Sequence, residues 1–228
     1  EGGGISNGGQ LTLSDSAVSG NSVTHWGGDY GAGGGGIYNS SSASLVINGS
    51  AVSGNSAFGE GAWGGGIASL GTLRIMNSLI SANLIAGEYV SGGGISALGG
   101  TIAGSTISDN RSLCDDCEYY DSWYAHAGGI ENFGVMTITN STISGNHTDS
   151  TWSGYSAVQN EDTLTITNST VTGNTPSGIN TRCWGSDPVS TTLRRTIVSG
   201  NADTEVYAGG YCRGGNVITV NGHNILGK

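Results

Sequence analysis

Four carboxylates fall within one short stretch, at Asp115, Asp116, Glu118 and Asp121. Carboxylate oxygens are hard ligands, so a loop this acidic is a candidate calcium site. Its spacing follows no known calcium-loop signature, and solvated acids on a long loop are the competing reading. Aromatic residues alternate with the acids, at Tyr119, Tyr120, Trp123 and Tyr124. Such rings stack on sugars, anchor protein interfaces or pack over their own scaffold. Cys114 and Cys117 bracket the start of the stretch as a C-x-x-C. One such motif alone is weak evidence for zinc or redox chemistry, so a disulfide stiffening the loop is expected. Cys183 and Cys212 make the second expected pair. Cys212 is read as occupying the column of Ile5 and Ile37, so this bridge would tie the last two coils. The even cysteine count, scarce lysine and abundant Ser, Thr and Asn favour an oxidising setting, extracellular or at the cell surface.

The same chemistry recurs elsewhere. Trp26, Tyr30, Trp63, Tyr89, Trp152 and Tyr155, with His25, His126 and His147, all lie in segments of irregular length. These are residues 22–32, 56–63, 84–91, 111–127, 147–156, 175–177 and 202–209. Under a third of the chain, they hold four of the five tryptophans, seven of the nine tyrosines and ten of the 17 acids. Insertions in repeat proteins collect on one flank, often the binding one, so this flank is the candidate ligand or interface surface.

A repeat must position these segments. Aligned on Asn21, Asn55, Asn83, Asn110, Asn146, Asn174 and Asn201, the copies are 34, 28, 27, 36, 28 and 27 residues apart. A period in this range marks a repeat architecture. A β-branched column precedes the Asn: Val18, Val52, Ile80, Ile107, Ile143, Val171 and Val198. Two residues earlier comes a hydroxyl: Ser16, Ser50, Ser78, Ser105, Ser141, Ser169 and Thr196. Three further back stand Leu13, Ile47, Ile75, Ile102, Ile138, Ile166 and Leu193. Ile5, Ile37, Ile67, Ile95, Ile130, Val158 and Ile179 close the glycine-rich runs. Ile218, Val220, His223 and Ile225 are read as the strand, hydroxyl and β-branched places of a last copy. Alternation as in Leu164-Thr165-Ile166 means strands with one buried face, and the glycines oppose any long helix.

The fold class is therefore all-β: a single domain over residues 1–228, a right-handed parallel β-helix of about eight coils, roughly 35–40 Å long at the usual strand spacing. The Asn column is expected to form a corner ladder, each side chain bonding its own turn and the next coil.

Composition excludes several classes. Glycine is 43 of 228 residues without a Gly-X-Y period, so collagen is excluded. A net charge of −10 opposes a nucleic-acid partner. No apolar run is long enough to span a bilayer. The chain opens at Glu1 directly into a repeat, so any leader is expected to have been removed or to lie upstream.

With the columns written out, the sequence resembles the right-handed parallel β-helix repeats of bacterial surface and secreted proteins. The nearest pattern is the polymorphic outer membrane protein repeat, which pairs a glycine-rich motif with F-x-x-N. Here the pairs read Gly3-Gly4-Ile5 with Val18-Ser19-Gly20-Asn21, and Gly65-Gly66-Ile67 with Ile80-Ser81-Ala82-Asn83. Val or Ile stands where that family has Phe. The resemblance implies the β-helix fold, which hosts adhesins, polysaccharide lyases, hydrolases and phage fibres. An enzyme of this type would carry a carboxylate cluster or calcium site on an outward strand face, with a basic residue. The outward positions, including Thr12, Arg74, Thr101, Thr137, Thr165 and Arg194, contain no acid, and Arg74 and Arg194 lie four coils apart. Only Thr137/Thr139 and Thr165/Thr167 match the Thr-x-Thr array of an ice-binding face.

Parallel β-helices expose open strands at both ends, and no capping helix is legible here. Head-to-tail stacking of one copy on another, or continuation within a longer surface protein, is expected. The expected function is an extracellular, non-enzymatic structural or adhesive element without a cofactor, calcium aside. The alternative is a carbohydrate-binding or polysaccharide-degrading protein that uses the aromatic, acidic flank on a cell-surface or matrix polysaccharide.

Overall fold

The computed structural model describes residues 2–25, 31–114, 124–149, 155–185, 187–212 and 215–227; for Tyr124, Trp184, Gly185 and residues 210–212 it describes the backbone alone. Among these residues there is no helix, and every strand pairing is parallel. The chain is a parallel β-helix.

Each repeat contributes to up to four ladders. The first begins with Ile5–Asn7, Ile37–Asn39 and Ile67–Ser69 and ends with Ser177–Gly185 and Val206–Cys212. The second runs from Gln10–Ser14 through Ser44–Asn48 to Asn216–Asn221. Two long strands, Ile95–Ala103 and Ile130–Thr139, pass through both ladders without a break and join them in one sheet. The third ladder is an 8-stranded sheet from Ala17–Ser19 to Ile225–Gly227.

A fourth ladder has five strands: Ser22–Thr24, Ser56–Phe58, Leu84–Gly87, Arg111–Cys114 and His147–Asp149. Five of the variable segments therefore start as strand. The alternation in Ser22-Val23-Thr24 is the period-2 signal of a half-buried strand.

Register explains the columns. Leu13 pairs with Ile47, Ile47 with Ile75 and Ile75 with Ile102, while Val18 pairs with Val52 and Val52 with Ile80. Like stacks on like one coil away, so the inward side chains from Ile37 to Val198 fuse into one apolar core. Each buried Ile or Val is worth about 1.5–3 kcal/mol. Each of the two corners around the third ladder turns on a residue in left-handed backbone. Asp15, Gly49, Asn77, Gly104, Asn140, Asn168 and Arg195 serve the first corner, and Gly20, Gly54, Ala82, Asp109, Gly145, Gly173 and Gly200 the second. Glycine, Asn and Asp dominate because they tolerate that conformation best.

The last repeat corrects the expected register. Val198 pairs with Leu226 and Ile197 with Ile225. The acceptor in the hydroxyl place is Asn224, whose Oδ1 takes the Thr196 N–H at 2.8 Å. One extra residue in the corner, His223, shifts the strand by one, and a one-residue shift exchanges the inner and outer faces. Cys212 is also placed differently. The column of Ile5 and Ile37 continues through Ile179 to Val206, and Cys212 lies opposite Gly185. Cys183 and Trp184 carry the strand Ser177–Gly185 beyond the part that pairs with the preceding repeat, and they pair only with Val206–Cys212. There is no free cysteine among the described residues. The side chains of Cys117 and Cys212 lie outside the described residues.

Candidate functional site

The Asn ladder is present as expected, and it is more strongly bonded than a surface corner requires. Asn110 Oδ1 accepts from the Asn83 backbone N–H at 3.0 Å and from Asn83 Nδ2 at 2.9 Å. Asn110 Nδ2 in turn donates to Asn146 Oδ1 at 2.9 Å and to the Ile80 carbonyl at 3.0 Å. Asn55, Asn83, Asn146 and Asn174 repeat this pattern, with Asn21 and Asn201 at the two ends. At Asn201 the ladder stops on a carboxylate, as Nδ2 donates to Glu205 Oε2 at 2.5 Å.

The paired glycines make room for this ladder. A Cβ on Gly36, Gly66 or Gly94 would come within 3.0 Å of the side chain of Asn55, Asn83 or Asn110. A Cβ on the preceding Gly35, Gly65 or Gly93 would come within 2.4–2.5 Å of a fourth-ladder carbonyl oxygen. The two sequence motifs are therefore two sides of one packing contact.

Hydroxyl and amide groups form two further rows. The Ser50 N–H donates to Ser78 Oγ at 3.1 Å, and the Ser78 N–H to Ser105 Oγ at 3.1 Å. At the corner between the first and second ladders, Asn7 donates to Asn39 Oδ1 at 2.8 Å and Asn132 to Asn160 Oδ1 at 2.8 Å. Sequence reading missed this second Asn row because Ser69 and Ala97 interrupt it.

The chemically richest place lies on the outer face of the first ladder. Its outward row is Ser6, Tyr38, Ala68, Ser96, Glu131, Gln159, Asn180 and Tyr207. From Ala68 to Asn180 the row is sealed, and Glu131 has 0% exposure. His126 Nδ1 lies 2.8 Å from Glu131 Oε1, while Oε2 of Glu131 is buried and has no hydrogen-bond partner among the described residues. Asn180 Nδ2 donates to Gln159 Oε1 at 2.8 Å, and Gln159 Nε2 reaches Glu161 Oε1 at 3.5 Å. The Tyr155 ring stacks on His126 with centroids 5.8 Å apart.

Burial alone would pull the His126 pKa below its ordinary value of 6.5. The Glu131 charge, its hydrogen bond and the Glu161 charge outweigh burial and the opposing Arg182, and the pKa is raised. Protonated His126 therefore contributes stability below pH 6.5 that is lost as pH rises through the raised value.

The sequence does not announce this site, because the outward strand face expected to carry acids is that of the second ladder. On that face the expectation holds: the positions from Thr12 to Arg194 pair in the predicted register and carry no carboxylate. The missed signal was the residue directly after each column Ile or Val, which becomes Glu131, Gln159 and Asn180 in three successive repeats.

The flank aromatics divide. Tyr155 is 2% exposed, so it is an interior ring. Trp63 packs edge-on against Tyr38 at 5.7 Å and over Gly33, where an added Cβ would lie 3.1 Å from the indole. Tyr89 is 46% exposed and pairs in register with Tyr124 between the short strands Tyr89–Val90 and Tyr124–Ala125. Trp26, Tyr30, Tyr119, Tyr120, Trp123 and Trp152 lie outside the described residues, as do the calcium candidates Asp115, Asp116, Glu118 and Asp121.

Fold and ladders together define the class, a parallel β-helix stabilised by side-chain amide ladders. Compared with known proteins, the chain matches no family model, no curated sequence and no solved structure.

Proposed function

We propose that this chain is an extracellular structural or adhesive β-helix of bacterial surface type, whose end coils are covered by a second copy or by further coils of a longer surface protein. The observation that carries this reading is at the last repeat. Leu193 and Val198 are fully buried, yet Val220 and Leu226, which continue their columns, are 46% and 44% exposed. Ile5, Leu11 and Leu13 are only partly buried at the first repeat, in matching columns. A copy stacked front onto back would continue the apolar columns of the second and third ladders, and such heterologous contacts do not close, so they give filaments. The expected pairs Cys114–Cys117 and Cys183–Cys212, as disulfides, would fit an oxidising location.

Negative-stain microscopy and light scattering test the self-assembly. The expected result is rods several times longer than about 40 Å, shortened to single rods in Val220→Lys/Leu226→Lys. Single short rods of the unaltered chain at high concentration would overturn the filament.

Exposed Tyr89, beside Tyr124, favours a second reading, glycan binding on the flank. In Tyr89→Ala/Tyr124→Ala, lost glycan retention with intact assembly would support it. Lost assembly with no glycan retention in either protein would speak for the structural role. The sealed Glu131 cannot touch a polysaccharide, which weighs against hydrolysis or elimination at the first-ladder face.

A further inference from the structure

We propose that His126, Glu131 and Glu161 form a binding site for a divalent transition-metal ion of the zinc class. One potential ligand atom from each lies within 4.8 Å of the others. A tetrahedral zinc ion with ligands about 2.1 Å away holds its donors about 3.4 Å apart.

A second observation points the same way. Glu131 is anchored in mid-strand, paired in register between Ser96 and Gln159, and is fully buried. Its Oε2 has no hydrogen-bond partner among the described residues. A buried carboxylate oxygen left unbonded is costly, and a directly coordinated cation removes that cost.

The donor set selects the class of ion. One imidazole nitrogen with two carboxylate oxygens suits zinc and its transition-metal neighbours. Calcium takes 6–8 oxygens and disfavours nitrogen. Two carboxylates with a neutral imidazole carry two negative charges, which a divalent ion offsets. The surroundings hold the ligands in place, with Tyr155 stacked on the imidazole and Gln159 in contact with Glu161. The site is independent of the structural role proposed above, since it would stiffen the flank whatever the flank binds.

The test uses the whole chain, stripped with a chelator and titrated with Co2+ as a visible-absorbing probe, then with Zn2+ by calorimetry. The expected result is a single saturable site with ligand-field bands and a rise in melting temperature. Glu161→Gln and His126→Gln should each weaken binding at least about tenfold while leaving the far-ultraviolet spectrum unchanged. Absence of saturable binding overturns the proposal. So does binding undiminished in both variants, or binding lost only in Asp115→Asn/Asp116→Asn, which would place the ion in the acidic loop. Should Glu131→Gln fail to fold, the half-buried Glu161 decides the matter.

Discussion

Asn110→Ala is expected to destabilise the chain by about 2–6 kcal/mol. The substitution strips acceptors from two buried donors on Asn83, its backbone N–H and one Nδ2 hydrogen, at about 1–3 kcal/mol each. It also removes the donor to the Ile80 carbonyl. Asn110→Asp should do no better. The carboxylate keeps an acceptor but loses both donors, and it places a charge in a row with 0% exposure at this position. Asn21→Ala is the informative contrast. Asn21 gives hydrogen bonds to Asn55 but receives none from an earlier described repeat, so its loss should cost less than half as much. Chemical denaturation of the three variants reads the difference. Equal losses at Asn21 and Asn110 would show that the ladder does not act between coils.

Gly65→Ala is expected to be still more damaging, above about 4 kcal/mol, large enough to lose cooperative folding. The added Cβ would lie 2.4 Å from the Gly93 carbonyl oxygen and 2.5 Å from that of Leu84. Both obstacles are backbone: Leu84 belongs to the fourth ladder, and the Gly93 carbonyl accepts the Gly66 N–H, so neither retreats without breaking inter-repeat hydrogen bonds. Gly8→Ala is the control, because a Cβ there meets nothing within 4 Å. It should change stability by no more than about 0.5 kcal/mol. A folded Gly65→Ala protein with unchanged melting temperature would mean that the first-to-fourth-ladder corner opens freely.

Much of the molecule was legible because stacked coils repeat the same physical problem. Every coil must fill the same inner positions, so Leu13, Ile47 and Ile75 resemble one another, and every coil must satisfy the same corner, so Asn recurs. Where a solution needs no repetition, legibility ends. Glu131 is unique on its row and stands beside Gln159 and Asn180, so no column announced it. The fourth ladder needs only three or four residues per strand, and those residues sit in segments whose remaining length varies. His223 shifts the last strand by one, a change that column alignment alone absorbs without trace. The glycine pairs were visible as a motif, but their reason, the close approach of Asn55, Asn83 and Asn110, exists only between coils.

The Asn ladder has one further consequence, which concerns direction. Each side-chain amide from Asn21 to Asn174 gives an Nδ2 hydrogen to the following repeat, and from Asn55 onward each turns its oxygen to the preceding one. The Ser row points the same way. In a parallel sheet the backbone dipoles largely cancel, but these side-chain dipoles add along the rod, as peptide dipoles add along a helix. The rod thus carries an electrical arrow, with oxygen leading at the first repeat and N–H at the last. Glu205, with its carboxylate on Asn201 Nδ2, sits at the positive tip of that arrow.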